Sequence, residues 1–147
     1  MERAPRWATA ASTAVVVIVA VFALSACGGT SSASETITPA TVEPIDGKDV
    51  SRITLTSEAA KRLDIQTASV RRNGGRFVIP YSAVLYSPTG ETWAYVNTAP
   101  LTFVRQQIVI YSIEGDRAIL SGGLAPGTKV ATVGVAELFG AESGLGQ

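Results

Sequence analysis

The stretch "IPYSAVLYSPTGETWAYVN", residues 79–97, is typical of strands joined by a tight turn. Pro80 cannot donate a backbone hydrogen bond to a ladder, so it marks the end or the edge of a strand. The sequence "SPTG" at residues 87–90 predicts a turn. Residues 92–96, "TWAYV", are β-branched and aromatic and predict the next strand. The stretch therefore favours an antiparallel β structure.

The flanking segments carry the same signals, with one exception. Residues 52–56, "RITLT", alternate and predict a strand, and residues 129–133 predict the last strand. The exception is "TSEAAKRLDI", where Thr56 or Ser57 can cap a two-turn helix at residues 57–63. The predicted fold class is therefore mainly β, a small antiparallel β-roll or barrel with one short helix, after a signal peptide and a disordered tether.

Further turns and one long apolar run complete the pattern. The run "LTFVRQQIVIYSI", residues 101–113, has apolar side chains on both parities. It predicts a strand covered on both faces, or one whose parity changes at a bulge near residues 105–107. The segment "GVAELFGAE" is compatible with a final helical turn. Tight turns are predicted at residues 73–75, 114–116 and 125–127.

The N-terminal segment has the parts of a secretory signal. Two arginines precede an apolar stretch, and "LSAC" closes it at Cys27, which is the only cysteine of the chain. A retained transmembrane helix is the alternative, but the strongly apolar part is short of the roughly 20 residues that a bilayer needs. A buried structural cysteine is a further alternative, which the neighbouring signal and linker sequence disfavours.

The sequence "LSAC" resembles the bacterial lipobox, in which the cysteine is acylated and becomes the new N-terminus. Cys27 is therefore the predicted lipid attachment site, and the membrane is a predicted partner through that lipid. The predicted location is extracytoplasmic, either on the outer face of the cytoplasmic membrane or in a periplasm. The predicted organisation has four parts: a signal peptide at residues 1–26, a lipidated and disordered linker at 27–49, a β-domain at 50–140, and a flexible tail at 141–147.

Composition argues against an enzyme, a cofactor or a metal site. The chain has no histidine, and its single methionine is Met1, so the usual general base and the common soft-metal ligands are absent. The carboxylates are scattered over predicted turns and helix ends. The aromatic residues of the predicted strands are expected to pack in the interior rather than to form a stacking face; they are Tyr81, Tyr86, Trp93, Tyr95, Phe103 and Tyr111.

Charge argues against nucleic acid as a partner. The chain has twelve basic and twelve acidic residues, and loss of residues 1–26 leaves a net charge of about −1. The pairs Arg71–Arg72 and Lys61–Arg62 are too small, taken alone, to form a basic patch. No affinity for anionic lipid is expected beyond the anchor itself.

Four segments, in the same order along the chain, resemble periplasmic adaptor subunits (membrane fusion proteins) of RND-type efflux systems. The segments are "LTSEAAKRLDIQTASV", "IPYSAVLYSPTGETWAYVN", "FVRQQIVI" and "SGGLAPGTKVATVGVAEL". The resemblance covers roughly residues 52–140 and implies the membrane-proximal β-domain of such an adaptor. Asp64 stands where the family usually has glycine, and aspartate tolerates the left-handed conformation that glycine would adopt there.

A larger departure is that only "RRNGGR", residues 71–76, stands where a complete adaptor carries its lipoyl and α-helical hairpin domains. The resemblance thus implies a lipid-anchored, non-enzymatic accessory that docks on a membrane transporter. An RND- or ABC-type permease or a full-length adaptor is the implied partner, and self-association is an option. Thr89 and Arg105 are the candidate partner-facing residues, although Arg105 can equally pair with a neighbouring strand. Two alternatives stay open, a small-ligand-binding lipoprotein and a passive structural lipoprotein of the cell envelope.

Overall fold

The computed structural model describes residues 38–145. The predicted signal peptide, Cys27 and the first part of the predicted linker lie outside these residues, as do residues 146–147.

Eleven strands and two α-helices make up the described part of the chain. The strands are β1 (Ala40–Pro44), β2 (Ser51–Leu55), β3 (Gln66–Ser69), β4 (Arg71–Asn73), β5 (Arg76–Pro80), β6 (Leu85–Tyr86), β7 (Thr92–Ala99), β8 (Thr102–Gln107), β9 (Val109–Glu114), β10 (Arg117–Gly122) and β11 (Lys129–Val133). The helices are α1 (Ser57–Arg62) and α2 (Val135–Glu142), and a single 3₁₀ turn lies at Tyr81–Ala83.

The strands form two antiparallel sheets. The seven-stranded sheet has the order β1-β2-β8-β7-β11-β3, with β6 paired to β7, and the four-stranded sheet has the order β4-β5-β10-β9. The predicted mainly antiparallel β fold is confirmed, and within residues 38–145 the sheets stay open rather than closing into a barrel.

The seven-stranded sheet is covered on both faces. Ala94 and Val96 of β7 belong to one apolar cluster with Ile79 and Leu120 of the four-stranded sheet. Tyr95, between them in sequence, points to the other face, because neighbouring side chains of a strand alternate. There it belongs to a second cluster with side chains of α1 and α2. A central strand buried on both faces explains why "WAYV" is apolar without alternation.

Helix α1 and the tight turns follow the sequence prediction. Ala59 N–H donates to Thr56 Oγ1 at 3.1 Å, so Thr56 is the N-cap, and Glu58 and Arg62 lie at the helix ends that suit their charges. After the helix, Asp64 takes the left-handed conformation with φ +48°. Strands β4 and β5 form a hairpin around Gly74 and Gly75, which both have positive φ angles, as a two-residue turn of this type requires.

Two ends of the predicted β-domain need correction. Strand β1 lies in the segment predicted as a disordered linker, and it pairs with β2 over five residue pairs. Pro39 precedes this short strand and Pro44 ends it, and only an edge strand tolerates prolines, so its signal in the sequence is weak. Helix α2 is a full helix that reaches into the predicted flexible tail, and Leu138 anchors it in the core with 1% exposure.

The run at residues 101–113 also folds differently from the prediction. It forms two strands, β8 in the seven-stranded sheet and β9 in the four-stranded sheet, separated by the buried Ile108. Gly123 packs directly against this junction, since a Cβ atom on it would lie 2.5 Å from Gln107 O and 2.7 Å from Ile108 Cα. The change of parity therefore comes from a crossing between sheets rather than from a bulge within one strand.

Candidate functional site

Thr89, one of the two predicted partner-facing residues, lies at the surface in a closely hydrogen-bonded turn. Its hydroxyl lies 2.8 Å from Ser87 Oγ and donates to Glu91 Oε2 at 3.0 Å. Glu91 N–H donates to Ser87 Oγ at 3.1 Å, and Gly90 N–H donates to Ser87 O at 3.0 Å. These bonds hold the turn in one conformation, so its exposed surface is preorganised for contact.

Two exposed tyrosines stand next to this turn in the chain. Tyr81 is 40% exposed in the 3₁₀ turn, and Tyr86 is 48% exposed immediately before Ser87. Interaction with the Tyr81 side chain, followed by slight burial, raises the pKa of Tyr86 above its ordinary value. We call Tyr81, Tyr86 and the turn at residues 87–90 the tyrosine–turn surface.

The sequence prediction that the aromatic residues pack inside is correct for part of the set. Tyr95 and Phe103 are fully buried, whereas Tyr81, Tyr86 and Tyr111 are exposed. Tyr81 lies outside the core because the chain leaves the four-stranded sheet at Pro80 and makes the 3₁₀ turn there. Tyr86 is exposed at the end of the two-residue strand β6. Pro80 was the available signal for this break in the strand.

Arg105, the other predicted partner-facing residue, lies mostly inside the fold. Its side chain is 15% exposed, and its Nε lies 3.2 Å from Glu142 Oε2, in an ion pair with a carboxylate that is 6% exposed. The guanidinium also donates from Nη2 to the backbone oxygen of Asp49 at 3.1 Å. This arrangement favours the alternative in which Arg105 pairs within the fold, although its partners are a helix and a loop rather than a strand.

Glu142 is the centre of this buried polar cluster. Its Oε2 accepts a hydrogen bond of 2.5 Å from the Tyr95 hydroxyl, and its Oε1 accepts one of 3.0 Å from Ser51 N–H. With the Arg105 ion pair, one carboxylate links α2 to β2, β7 and β8. The pair thus has the additional hydrogen bonds that a buried ion pair needs to offset its desolvation.

Aromatic rings surround the Arg105 guanidinium. Its Cζ lies 4.6 Å from the ring centroid of Trp93 and 5.7 Å from that of Phe139, both within the range of cation–π attraction. The Nε of Arg105 faces Glu142 without hydrogen-bond geometry, and Trp93 Nε1 has no hydrogen-bond partner among the described residues. The cluster therefore positions α2, and its groups are engaged with one another rather than with solvent.

The cluster predicts a dependence of stability on alkaline pH. Burial, and then the hydrogen bond to Glu142, raise the pKa of Tyr95 well above its ordinary value of 10.0. The folded protein keeps this proton while the unfolded chain loses it, so stability should fall above pH 10 by about 1.4 kcal/mol per pH unit. Urea unfolding at pH 8 and pH 11 should show this slope in the wild type and a smaller slope in Tyr95→Phe. Equal slopes in the two proteins would contradict the assignment.

A shallow cleft lies where β3 meets the four-stranded sheet. Its volume is about 240 Å³, and its lining includes Ala68, Val78, Arg71, Asp116 and Arg117. Sites for drug-sized ligands usually have volumes of about 300–1,000 Å³. The cleft therefore gives little support to the small-ligand-binding alternative.

Residues 38–145 lack two further features. No group of three or more potential metal-ligating side chains occurs there. None of the helices in this range has the length and apolar character needed to cross a bilayer. Cys27 lies outside the range, so its predicted lipidation stays a prediction.

Comparisons of the chain with protein-family models, with curated proteins and with solved structures find no match. The likeness to adaptor subunits therefore rests on the four sequence segments alone.

Proposed function

We propose that the chain is a lipid-anchored, non-enzymatic adaptor-like module that docks on a membrane transporter on the extracytoplasmic side. The observation that carries the proposal is the tyrosine–turn surface, where Tyr81 and Tyr86 are exposed beside a turn that hydrogen bonds hold in place. Tyrosine is enriched at the centres of protein interfaces, and a preorganised surface loses little conformational entropy on binding.

The proposed anchor keeps this surface close to the membrane. Twelve residues, 28–39, separate Cys27 from the first residue of β1. Whatever their conformation, they span at most roughly 40 Å. Because β1 takes residues from the predicted linker, the domain is held on a tether about half as long as the sequence analysis expected. A short tether favours docking on a partner in the same membrane.

The alternatives have less support. A passive structural lipoprotein has no need for two exposed tyrosines at one surface, and the shallow cleft is small for a ligand site. Arg105 does not contribute to the docking proposal, because its guanidinium is engaged with Glu142. Thr89 stays in it as part of the tyrosine–turn surface.

Site-directed photocrosslinking in membranes tests the proposal. With a photoreactive residue at position 86 or 89, we expect adducts to a polytopic transporter subunit, identified by mass spectrometry. Ser57, exposed at the start of α1, is the matched control position and should give no such adduct. Cys27→Ser should abolish the adducts by preventing lipidation.

The same experiment can refute the proposal. If positions 86 and 89 give only uncrosslinked protein while acyl mass is present on Cys27 and the domain is folded, the docking role fails. Adducts of equal yield from position 57 would likewise show that contact is random. In either case the passive structural alternative gains.

A further inference from the structure

The hairpin formed by β4 and β5 concentrates positive charge. Arg71, Arg72 and Arg76 lie within it, and the sequence has no acidic residue between Asp64 and Glu91. Among residues 38–145 the ion pairs are Arg52–Glu43 and Arg105–Glu142, so none of the three hairpin arginines has an acidic partner there. We call these three residues, with the turn between them, the basic hairpin.

The acidic residues of the four-stranded sheet lie at its other end. Glu114 faces Arg117 across the sheet, Asp116 precedes Arg117 in the turn, and Arg117 pairs with Pro80 at the far end of β5. Four residues of strand, about 13 Å, separate Pro80 from Arg76. This distance exceeds the Debye length of about 8 Å at physiological ionic strength, so solvent screens these carboxylates from Arg76. Arg71 lies nearer to them, because it pairs with Val78 and lines the same cleft as Asp116.

Two of the arginines are held in place by aromatic rings. The Cζ of Arg76 lies 3.5 Å from the ring centroid of Tyr111, and that of Arg72 lies 5.4 Å from the ring centroid of Phe77. Arg71, Arg72 and Asn73 are all exposed. Arg71 and Arg72 are thus presented to solvent on the edge strand β4, whereas Arg76 is half-buried on β5 and its guanidinium lies over Tyr111 of β9.

We propose that the basic hairpin rests on the anionic phosphate headgroups of the membrane that holds the lipid anchor. This inference rests on the proposed anchoring at Cys27. The planar guanidinium group matches phosphate oxygens geometrically, and arginines near an anionic membrane surface are attracted to it. A basic patch is a common second signal beside a lipid anchor. Tyr111, 62% exposed beside Arg76, suits the headgroup depth.

A second copy of the chain is a poorer occupant of this edge. Strand β4 has only three residues and carries two charges, and short, charged edge strands resist pairing with another strand. The tether allows the membrane contact in either orientation. Its maximal span of roughly 40 Å exceeds the width of a domain of about 100 residues, whose radius of gyration is about 13 Å.

Fluorescence quenching in vesicles tests the proposal. The lipidated full chain carries no free thiol, so Asn73→Cys gives one labelling site in the basic hairpin and Ser57→Cys gives a control site on α1. The labelled proteins are reconstituted in phosphatidylcholine vesicles with or without phosphatidylglycerol. Both kinds of vesicle contain a lipid with a nitroxide quencher on its headgroup. We expect strong quenching at position 73 only with phosphatidylglycerol, lost in 1 M salt, and little at position 57.

A matched pair of triple variants separates position from net charge. The variant R71Q/R72Q/R76Q should lose the quenching. Each basic residue near an anionic surface favours the membrane-bound over the unbound hairpin by about fivefold, so loss of three lowers this ratio roughly a hundredfold. The variant K48Q/K61Q/R62Q removes the same charge from other exposed residues and should retain the quenching. Equal unfolding midpoints of the two variants in denaturant exclude a folding defect.

The outcomes distinguish this proposal from the proposed function. Equal quenching in both kinds of vesicle, equal effects of the two triple variants, or shielding of position 73 by a co-purified protein would overturn the membrane contact. The mass of the N-terminal residue is read from the same preparation. An acylated chain without quenching refutes only the basic-hairpin contact, whereas a chain without acyl mass refutes the anchor and the inference built on it.

Discussion

Replacement of Glu142 by alanine should lower the free energy of unfolding by about 3–5 kcal/mol, which is the usual cost of breaking a buried ion pair. The reason is that the Tyr95 hydroxyl and Ser51 N–H lose their acceptor while the Arg105 guanidinium loses its ion-pair partner. The Arg105 charge is then left 15% exposed with no carboxylate beside it. Chemical denaturation followed by fluorescence or circular dichroism measures the loss.

A matched control lies on the same helix. Glu137 is exposed in the first turn of α2, so Glu137→Ala should cost no more than about 1 kcal/mol through the helix dipole. The double variant R105A/E142A should lose less than the sum of the two single variants, because the charge and its partner are removed together. Comparable losses for Glu142→Ala and Glu137→Ala would mean that the cluster does not stabilise the fold.

We expect the second large loss from Gly123→Ala, at about 3 kcal/mol or more. Gly123 has φ +107°, which an L-residue rarely adopts, and its missing Cβ leaves space for the backbone of Gln107 and Ile108. Backbone atoms cannot move aside as a flexible side chain can. The crossing from β8 to β9 would therefore have to shift, and this shift would disturb strand pairing in both sheets.

The neighbouring glycine provides the comparison. Gly122 has no positive φ angle and no atom within 4 Å of an added Cβ, so Gly122→Ala should change stability by less than about 1 kcal/mol. Thermal or denaturant unfolding of the two variants side by side checks the contrast. Similar stabilities would show that the junction can relax around a methyl group.

The parts of the fold that the sequence predicted are those set by neighbouring residues. Thr56 caps α1 within one turn, Gly74 and Gly75 close a hairpin by their own conformations, and Pro80 ends β5. Each of these signals operates over a few residues, so periodicity and turn chemistry are enough to find it.

The elements that the sequence analysis missed depend on distant partners. Helix α2 has Gly134 at its N-cap position, which offers no side-chain cap, and it contains Gly140, so its local signals are weak. It is held by Leu138 in the core and by Glu142 against residues far away in the chain. A single sequence without such contacts cannot distinguish a helix of this kind from a final turn.

The candidate sites likewise divide into residues placed by local sequence and residues placed by distant contacts. Thr89 could be placed at the surface because "SPTG" predicts an exposed turn by itself. The sequence left two roles open for Arg105, since its partner Glu142 is 37 residues away. The basic hairpin escaped notice because counting charge pairs one at a time overlooked Arg76, which lies across a two-residue turn from Arg71 and Arg72.

The bond between Ser51 N–H and Glu142 joins residues that are 91 positions apart. A ribosome makes residue 51 long before residue 142, so strands β2, β7 and β8 lack this carboxylate until 91 further residues have followed Ser51. A chain that ends early, through a premature stop codon or cleavage before Glu142, keeps Arg105 and Tyr95 but lacks the group that neutralises one and accepts from the other. Such a product should be more sensitive to proteases than the longer chain, because the stability of β2, β7 and β8 depends on a group that α2 supplies.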